Sequence, residues 1–308
     1  MNPSLGIALS NAWARMVRML FRPFRIDVWI TVGFAAFLSE LGSHGWGNGS
    51  SYSDKDGVSE RAFQPVIDFL TNPAMIAIIV AIAACLFVLV IVLLWVSCRG
   101  RFIYLDCVVR ERAAIVEPWK RYARQGNSLF LWSICFLLVV ILAVMAATVP
   151  FIPRFTGLSL HHFPSEDQLR GFGLWFLLIL PIALATGYVH IWTNHFVVPV
   201  MYRHGLTAME GWGRFWTLLR EHAGSFLLYG IVMMGLWFAT MFLYFLAGFL
   251  TCCVGFIILA LPYIGTIAML PPLTLFRGFG PEYLRQFGPE WSAFDAPAAP
   301  APPAGAPA

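Results

Sequence analysis

Six stretches of the chain are apolar for long enough to decide its fold class: 26–41, 73–97, 128–150, 171–199, 225–250 and 253–276. A helix needs about 20 residues to cross about 30 Å of hydrocarbon, and five of the six meet that length. Such spans must be helical, because lipid offers no partner to a backbone N–H or C=O. Only 12% of the residues are charged, against about 25% in a soluble domain, which is too few to cover a water-exposed surface. The expected fold is all-α: a polytopic transmembrane helical bundle of about six spans, forming a single membrane domain over residues 1–290. Residues 291–308, rich in Ala and Pro, read as a disordered cytoplasmic tail.

The first stretch is short and carries Asp27 and Glu40, so charge must decide whether it crosses. With six spans, sixteen of the twenty Lys and Arg fall on one side. Arg15, Arg18, Arg22 and Arg25 precede the first span, and Arg99, Arg101, Arg110, Arg112, Lys120, Arg121 and Arg124 follow the second. Lys55, Arg61, Arg154 and Arg170 fall on the other. Basic residues mark the cytoplasmic face, so the expected location is the cell inner membrane, with multiple passes and both termini cytoplasmic. Glu40 then belongs at the outer interface. The four N-terminal arginines also break any signal-peptide core. Pro181 predicts a tilt or kink in the fourth span, and Pro262, Pro271 and Pro272 predict a broken sixth.

The cytoplasmic segments repeat. Arg110, Glu117, Trp119, Arg121 and Tyr122 recur 93 residues later as Arg203, Glu210, Trp212, Arg214 and Phe215, and Trp13-Ala14-Arg15 is a weaker third copy. This predicts three parallel units, each an interfacial helix leading into a transmembrane hairpin. In 5–21, Leu5, Leu9, Trp13, Met16 and Leu20 share one helical face away from Arg15 and Arg18, the pattern of a helix lying in the headgroup region. Residues 207–220 repeat the pattern, with Met209, Trp212, Phe215, Trp216 and Leu219 apolar and a Thr207/Glu210 capping box at the start.

Sites are sparse. Catalytic motifs, paired membrane aspartates and phosphate loops are missing, so no enzyme, cofactor or metal is expected, and a net charge of +4 gives no reason for nucleic acid. The six cysteines lack metal spacing and read as packing residues, with a partner disulfide at Cys252-Cys253 the remote alternative. Arg99, Arg101, Arg110, Arg121 and Arg214 lie beside the membrane and are candidate contacts for anionic lipid or a partner protein. Against that stands a structural reading, with Asp106–Arg110, Glu117–Arg121 and Glu210–Arg214 as i,i+4 pairs. Thr186, His190 and Asn194 form a polar face at i,i+4 spacing within the fourth span, either interhelical hydrogen bonding or a polar path. The loop 42–72 is acidic, with a short helix near 60–70 and a formal glycosylation acceptor at Asn48-Gly49-Ser50. His161-His162 reads as a solvated pair.

Ser97-Cys98-Arg99-Gly100-Arg101-Phe102, Leu105-Asp106, Glu117-Pro118-Trp119 and Gly126-Asn127-Ser128-Leu129-Phe130 resemble an uncharacterised family of bacterial polytopic membrane proteins. So do Phe196 to Arg203, Leu261-Pro262-Tyr263-Ile264-Gly265-Thr266 and Tyr283 to Glu290. The resemblance covers roughly residues 12–290 and implies fold and location but no activity. More distantly, the chain is similar to the membrane domain fused to some glycerophosphodiester phosphodiesterases, whose catalytic domain is missing here. The functional expectation is non-enzymatic organisation of membrane lipids or a partner protein at the cytoplasmic face. The alternative is a small-solute transporter or channel.

Overall fold

The computed structural model describes residues 3–41, 73–155, 165–251 and 254–294. The loop 42–72 with its predicted helix and Asn48 acceptor, His161 and His162, Cys252 and Cys253, and the tail 295–308 lie outside the described residues. All regular structure among the described residues is helical. In order come α1 (Leu5–Leu20), α2 (Ile26–Glu40), α3 (Pro73–Val109), α4 (Val116–Arg121), α5 (Ala123–Thr148) and α6 (Glu166–Trp192). There follow α7 (Val198–His204), α8 (Ala208–Glu221), α9 (Ala223–Leu250), α10 (Val254–Ala260), α11 (Pro262–Ala268) and α12 (Leu270–Leu284).

Four helices are long and apolar enough to cross a membrane: Pro73–Val109, Ala123–Phe151, Glu166–His204 and Ala223–Leu250. The first has 37 residues, or about 55 Å at 1.5 Å per residue, far more than the hydrocarbon requires. Its two parts live in different surroundings. None of its most apolar 18 residues is buried in the protein, whereas every residue from Ser97 to Val109 is buried except the half-buried Arg99. The core therefore sits at one end of the long helices, not along their length.

That core is two apolar clusters. One gathers Cys98, Phe102, Leu105, Leu129, Phe196, Met201, Phe215, Phe226, Tyr229, Phe279 and Tyr283. The other joins α1, α2 and α3 through Met16, Leu20, Val32, Ala36, Ile103, Tyr104 and Val108. Aromatic contacts dominate the first: Phe196 packs on Phe215 at 5.3 Å, on Phe226 at 4.9 Å and on Tyr229 at 4.7 Å.

The short first stretch is helical, and α2 packs against the buried end of α3 and against α11, where Tyr263 Oη donates to the Ile30 carbonyl at 2.9 Å. A Cβ on Gly100 would lie 2.6 Å from the Leu38 carbonyl carbon, so glycine is required for the helices to touch. At its far end, Ser39 accepts a hydrogen bond from Ser97 Oγ at 2.8 Å. The apolar part of α3 rises beyond that point. The sixth stretch is broken by its prolines: Pro262 opens α11 after an extended Leu261, and Pro271-Pro272 open α12. Pro181 behaves otherwise than expected. Helix α6 runs on through it, and the irregularity is a π turn at Thr193–Val197. Pro199 explains the position, because it has no N–H for the His195 carbonyl and its ring crowds that turn.

Both amphipathic helices form. In α1 the buried side is Ala8, Ala12, Met16, Met19 and Leu20, while Trp13 stays exposed at the rim. In α8, Gly211, Phe215, Leu218 and Leu219 are buried while Met209 and Trp216 are exposed. Both apolar faces thus serve the protein core first, which is where tertiary burial prevails over the membrane face read from periodicity.

Candidate functional site

The polar chemistry is concentrated where α3 leaves its apolar part. Asp106 is fully buried. Its Oδ1 faces Arg110 Nε at 3.0 Å and accepts from Tyr202 Oη at 2.8 Å and Tyr122 Oη at 3.4 Å. Oδ2 accepts from Arg112 Nη2 at 2.9 Å and Nε at 3.2 Å. The predicted Asp106–Arg110 pair is present, and three further partners surround it. A carboxylate so fully hydrogen-bonded holds four segments together and has no spare lone pair for catalysis.

Helix α3 ends at Val109, and two residues later Glu111 has a φ of 49°, in the left-handed region that favours glycine. Arg112 N–H donates to the Cys107 carbonyl at 3.1 Å, closing the end as a Schellman turn. The glutamate is held in place by charge: its Oε1 meets Arg15 Nη1 at 2.9 Å and Arg18 Nη2 at 3.0 Å. Arg15 also pairs at 2.9 Å with buried Glu282, so α1, α3 and α12 share one ionic knot. Hydrogen bonding to Glu111 raises the Arg18 guanidinium above its ordinary value. The knot brings Arg15 and Arg18 of α1 to the end of α3.

Arg99 sits in an aromatic cage. Its guanidinium carbon is 4.3 Å from the Trp95 ring centre and 5.2 Å from that of Trp119. Nε and Nη2 donate to Asn127 Oδ1 at 3.2 and 3.0 Å, and Trp95 Nε1 donates to the same oxygen at 3.0 Å. Among the described residues no carboxylate lies within 4.0 Å of Arg99. Lys120, next to Trp119 in the chain, and Arg124, three residues before Asn127, are exposed and have no carboxylate within 4.0 Å among those residues, though Arg124 acts at longer range on Glu210. Val116 is 71% exposed.

The other candidate arginines are more committed. Arg121 pairs with Glu117 at 3.7 Å, as predicted, and lies over Tyr122. Arg112 at 2.8 Å is the nearer partner of Glu117 and, by hydrogen bonding, holds that carboxylate below its usual range. The expected Glu210–Arg214 pair does not form. Glu210 accepts from the Thr207 N–H at 2.8 Å and the Thr207 hydroxyl at 2.9 Å, capping α8, and those two bonds lower its pKa. Arg214 turns instead to Glu290 at 3.8 Å and Trp291. Arg101 is buried, with 7% of its surface exposed.

The polar groups Thr186, His190 and Asn194 are unevenly engaged. Thr186 Oγ1 bonds back to the Ile182 carbonyl at 2.8 Å, spending itself within the helix. Asn194 Nδ2 lies 2.9 Å from His190 Nε2 and 3.0 Å from the His190 carbonyl. What the sequence did not reveal is the neighbour of this face. His195 Nδ1 lies 2.9 Å from the Tyr229 hydroxyl, and Arg277 from α12 donates to the Asn194 carbonyl at 3.2 Å and to the Arg101 carbonyl. No spacing rule links residues 101, 194, 229 and 277; only the tertiary fold does.

Among the described residues no three His, Cys, Asp or Glu stand together to hold a metal, and Cys85, Cys98, Cys107 and Cys135 are free thiols. A groove of about 680 Å³ lies between α8 and the C-terminal turns, lined by Arg214, His222, Phe287, Glu290 and Trp291 among others. A family model described as a family of unknown function (DUF7544) matches residues 7–281, a range that holds most of the motifs quoted above. No curated protein and no solved structure matches the chain.

Proposed function

We propose, for a chain that belongs to the DUF7544 family of unknown function, a non-enzymatic role in binding and ordering anionic lipid at the cytoplasmic face of the cell inner membrane. The observation that carries this is the Arg99 cage. A guanidinium stacked on two indoles, with N–H groups to spare and two exposed cations close by in sequence, suits a phosphate headgroup. Its setting agrees, because the cage stands where the apolar part of α3 gives way to the buried part. Each basic side chain near an anionic surface contributes about 1 kcal/mol. Val116 and Met209, equivalent under the 93-residue offset, are 71% and 72% exposed, as suits apolar residues reaching into the lipid boundary.

This reading keeps six crossings with both termini inside. Contact between Arg15 and Glu111 supports it: if α3 crosses, the chain must return across the membrane between α1 and α3. It also keeps the three-unit parallel repeat, supported by α4–α5 and α8–α9 each pairing a shorter helix with a longer one. The distant kinship with the membrane domain of glycerophosphodiester phosphodiesterases belongs to the same proposal. The test is native mass spectrometry of the protein extracted from mixed-lipid membranes. Replacing Arg99, Lys120 and Arg124 by Gln should cut retained phosphatidylglycerol several-fold relative to phosphatidylcholine. Unchanged retention would refute the lipid role. A transporter or channel is the second reading, favoured by exposed His190 beside Asn194 in an otherwise apolar helix. Labelling of Cys at 186, 190 or 194 by a water-soluble thiol reagent would support it.

A further inference from the structure

Among the described residues, buried charges are ion-paired within 4.0 Å except those of Arg101 and Arg277. Asp106 has Arg110 and Arg112, and Glu282 has Arg15 and Arg285. Arg101 and Arg277 are 7% and 9% exposed, and neither has a carboxylate within 4.0 Å among the described residues. The Arg101 guanidinium makes no hydrogen bond to a described residue. Arg277 reaches two carbonyls, those of Asn194 and Arg101, and its Nε has no partner.

The two cations share one seam. On α3, Cys98 and Leu105 face the first apolar cluster while Tyr104 and Val108 face the second. Arg101 lies between those faces at helical spacing. Arg277 crosses the same seam from α12, and its charge is opposed by that of Arg101 and favoured by Glu40. One turn before Arg277, Thr274 Oγ1 meets the Tyr104 hydroxyl at 3.1 Å. His190 and Asn194 stand at the edge of the seam, and Asn194 supplies the carbonyl that Arg277 grips. Glu40 favours the Arg277 charge but makes no ion pair with it within 4.0 Å, and two like charges held together in a protein interior remain costly. A chain that keeps both gains most by closing the pair on an anion.

We infer that Arg101 and Arg277 form an oxyanion site at the seam between the two core clusters, taking a phosphate group and entered past His190 and Asn194. Planar guanidinium groups match a phosphate with paired N–H donors, which carbonyls alone cannot satisfy. The phosphate comes either from solution or from a lipid headgroup, and the shared chemistry is the tetrahedral oxyanion. The site is separate from the Arg99 cage and does not depend on it.

The experiment is thermal unfolding of the full chain in delipidated, phosphate-free detergent. Inorganic phosphate, short-chain phosphatidylglycerol and sodium chloride at matched ionic strength are added separately. Phosphate or phosphatidylglycerol should raise Tm by several degrees over chloride, and whichever does so identifies the source. Arg101→Met should abolish that rise while leaving Tm without anion equal or higher, since it removes a buried charge that opposes that of Arg277. The Arg99/Lys120/Arg124→Gln variant should keep the rise, so this inference and the surface-lipid reading fail separately. No rise over chloride in the native chain, a rise that survives Arg101→Met, or a Tm that falls in Arg101→Met without anion would each overturn it.

Discussion

Pro73–Val96 and Ser97–Val109 are consecutive parts of one helix, yet they solve opposite problems. The first part is apolar on all sides and, over most of its length, has no protein against it. The second is buried nearly throughout and carries Arg101 and Asp106. Lipid explains the contrast. Where the solvent is hydrocarbon, apolar side chains gain nothing by packing on one another. Where water returns, the same helix must bury its surface, and there the aromatic clusters and ion pairs appear. Stability should therefore be concentrated in the inner part, and substitutions can break or sharpen that division.

The largest effect should come from Asp106→Ala. It strands two partly buried arginines and two buried tyrosines' hydroxyls, and breaking a buried pair costs about 3–5 kcal/mol. Loss of folded protein in size-exclusion chromatography or a large fall in Tm is expected; a near-native Tm would place the stability elsewhere. Next comes a comparison on one helix. Leu129→Ala should cost about 2–5 kcal/mol because Leu129 is fully buried. Leu138→Ala, 55% exposed on the same helix, should cost within about 0.5 kcal/mol. Equal losses in chemical unfolding would abolish the distinction between the parts.

A smaller effect concerns the turn at Glu111. Glu111→Gly and Glu111→Ala both forfeit Arg15 and Arg18, but only Ala keeps the left-handed strain. The Ala variant should be less stable than the Gly variant by about 1–2 kcal/mol. The smallest effect is with pH. Hydrogen bonding to Arg112 lowers Glu117 below its unfolded value. Its contribution is therefore present above the unfolded value and is lost as pH falls through the lowered one. A slight acid-side decline in Tm should vanish in Glu117→Gln.

Much of this was legible in the chain itself. Apolar length announced the four long helices, and i,i+4 spacing announced Asp106–Arg110 and Glu117–Arg121. Local rules failed where a group had a choice of partners. Glu210 caps Thr207, leaving Arg214 to Glu290, a residue 76 positions away. Proline marked a weakness without saying which proline yields: Pro181 is accommodated, while Pro199 opens the π turn against which Arg277 packs. The Arg101–Arg277 seam was invisible, because Arg277 follows the last apolar stretch and looked like a topology marker. The Trp-x-Arg motif was found by its repetition, but not the cage in which Trp119 shares Arg99 with Trp95.

The most direct test is photolabelling from within the bilayer with a lipid-soluble carbene precursor, read residue by residue. Label is expected around the whole circumference of Ile76–Val92 and none in Phe102–Val109. A protected stripe along Ile76–Val92, or label within Phe102–Val109, would contradict the division of α3 into a lipid-solvated part and a protein-solvated one.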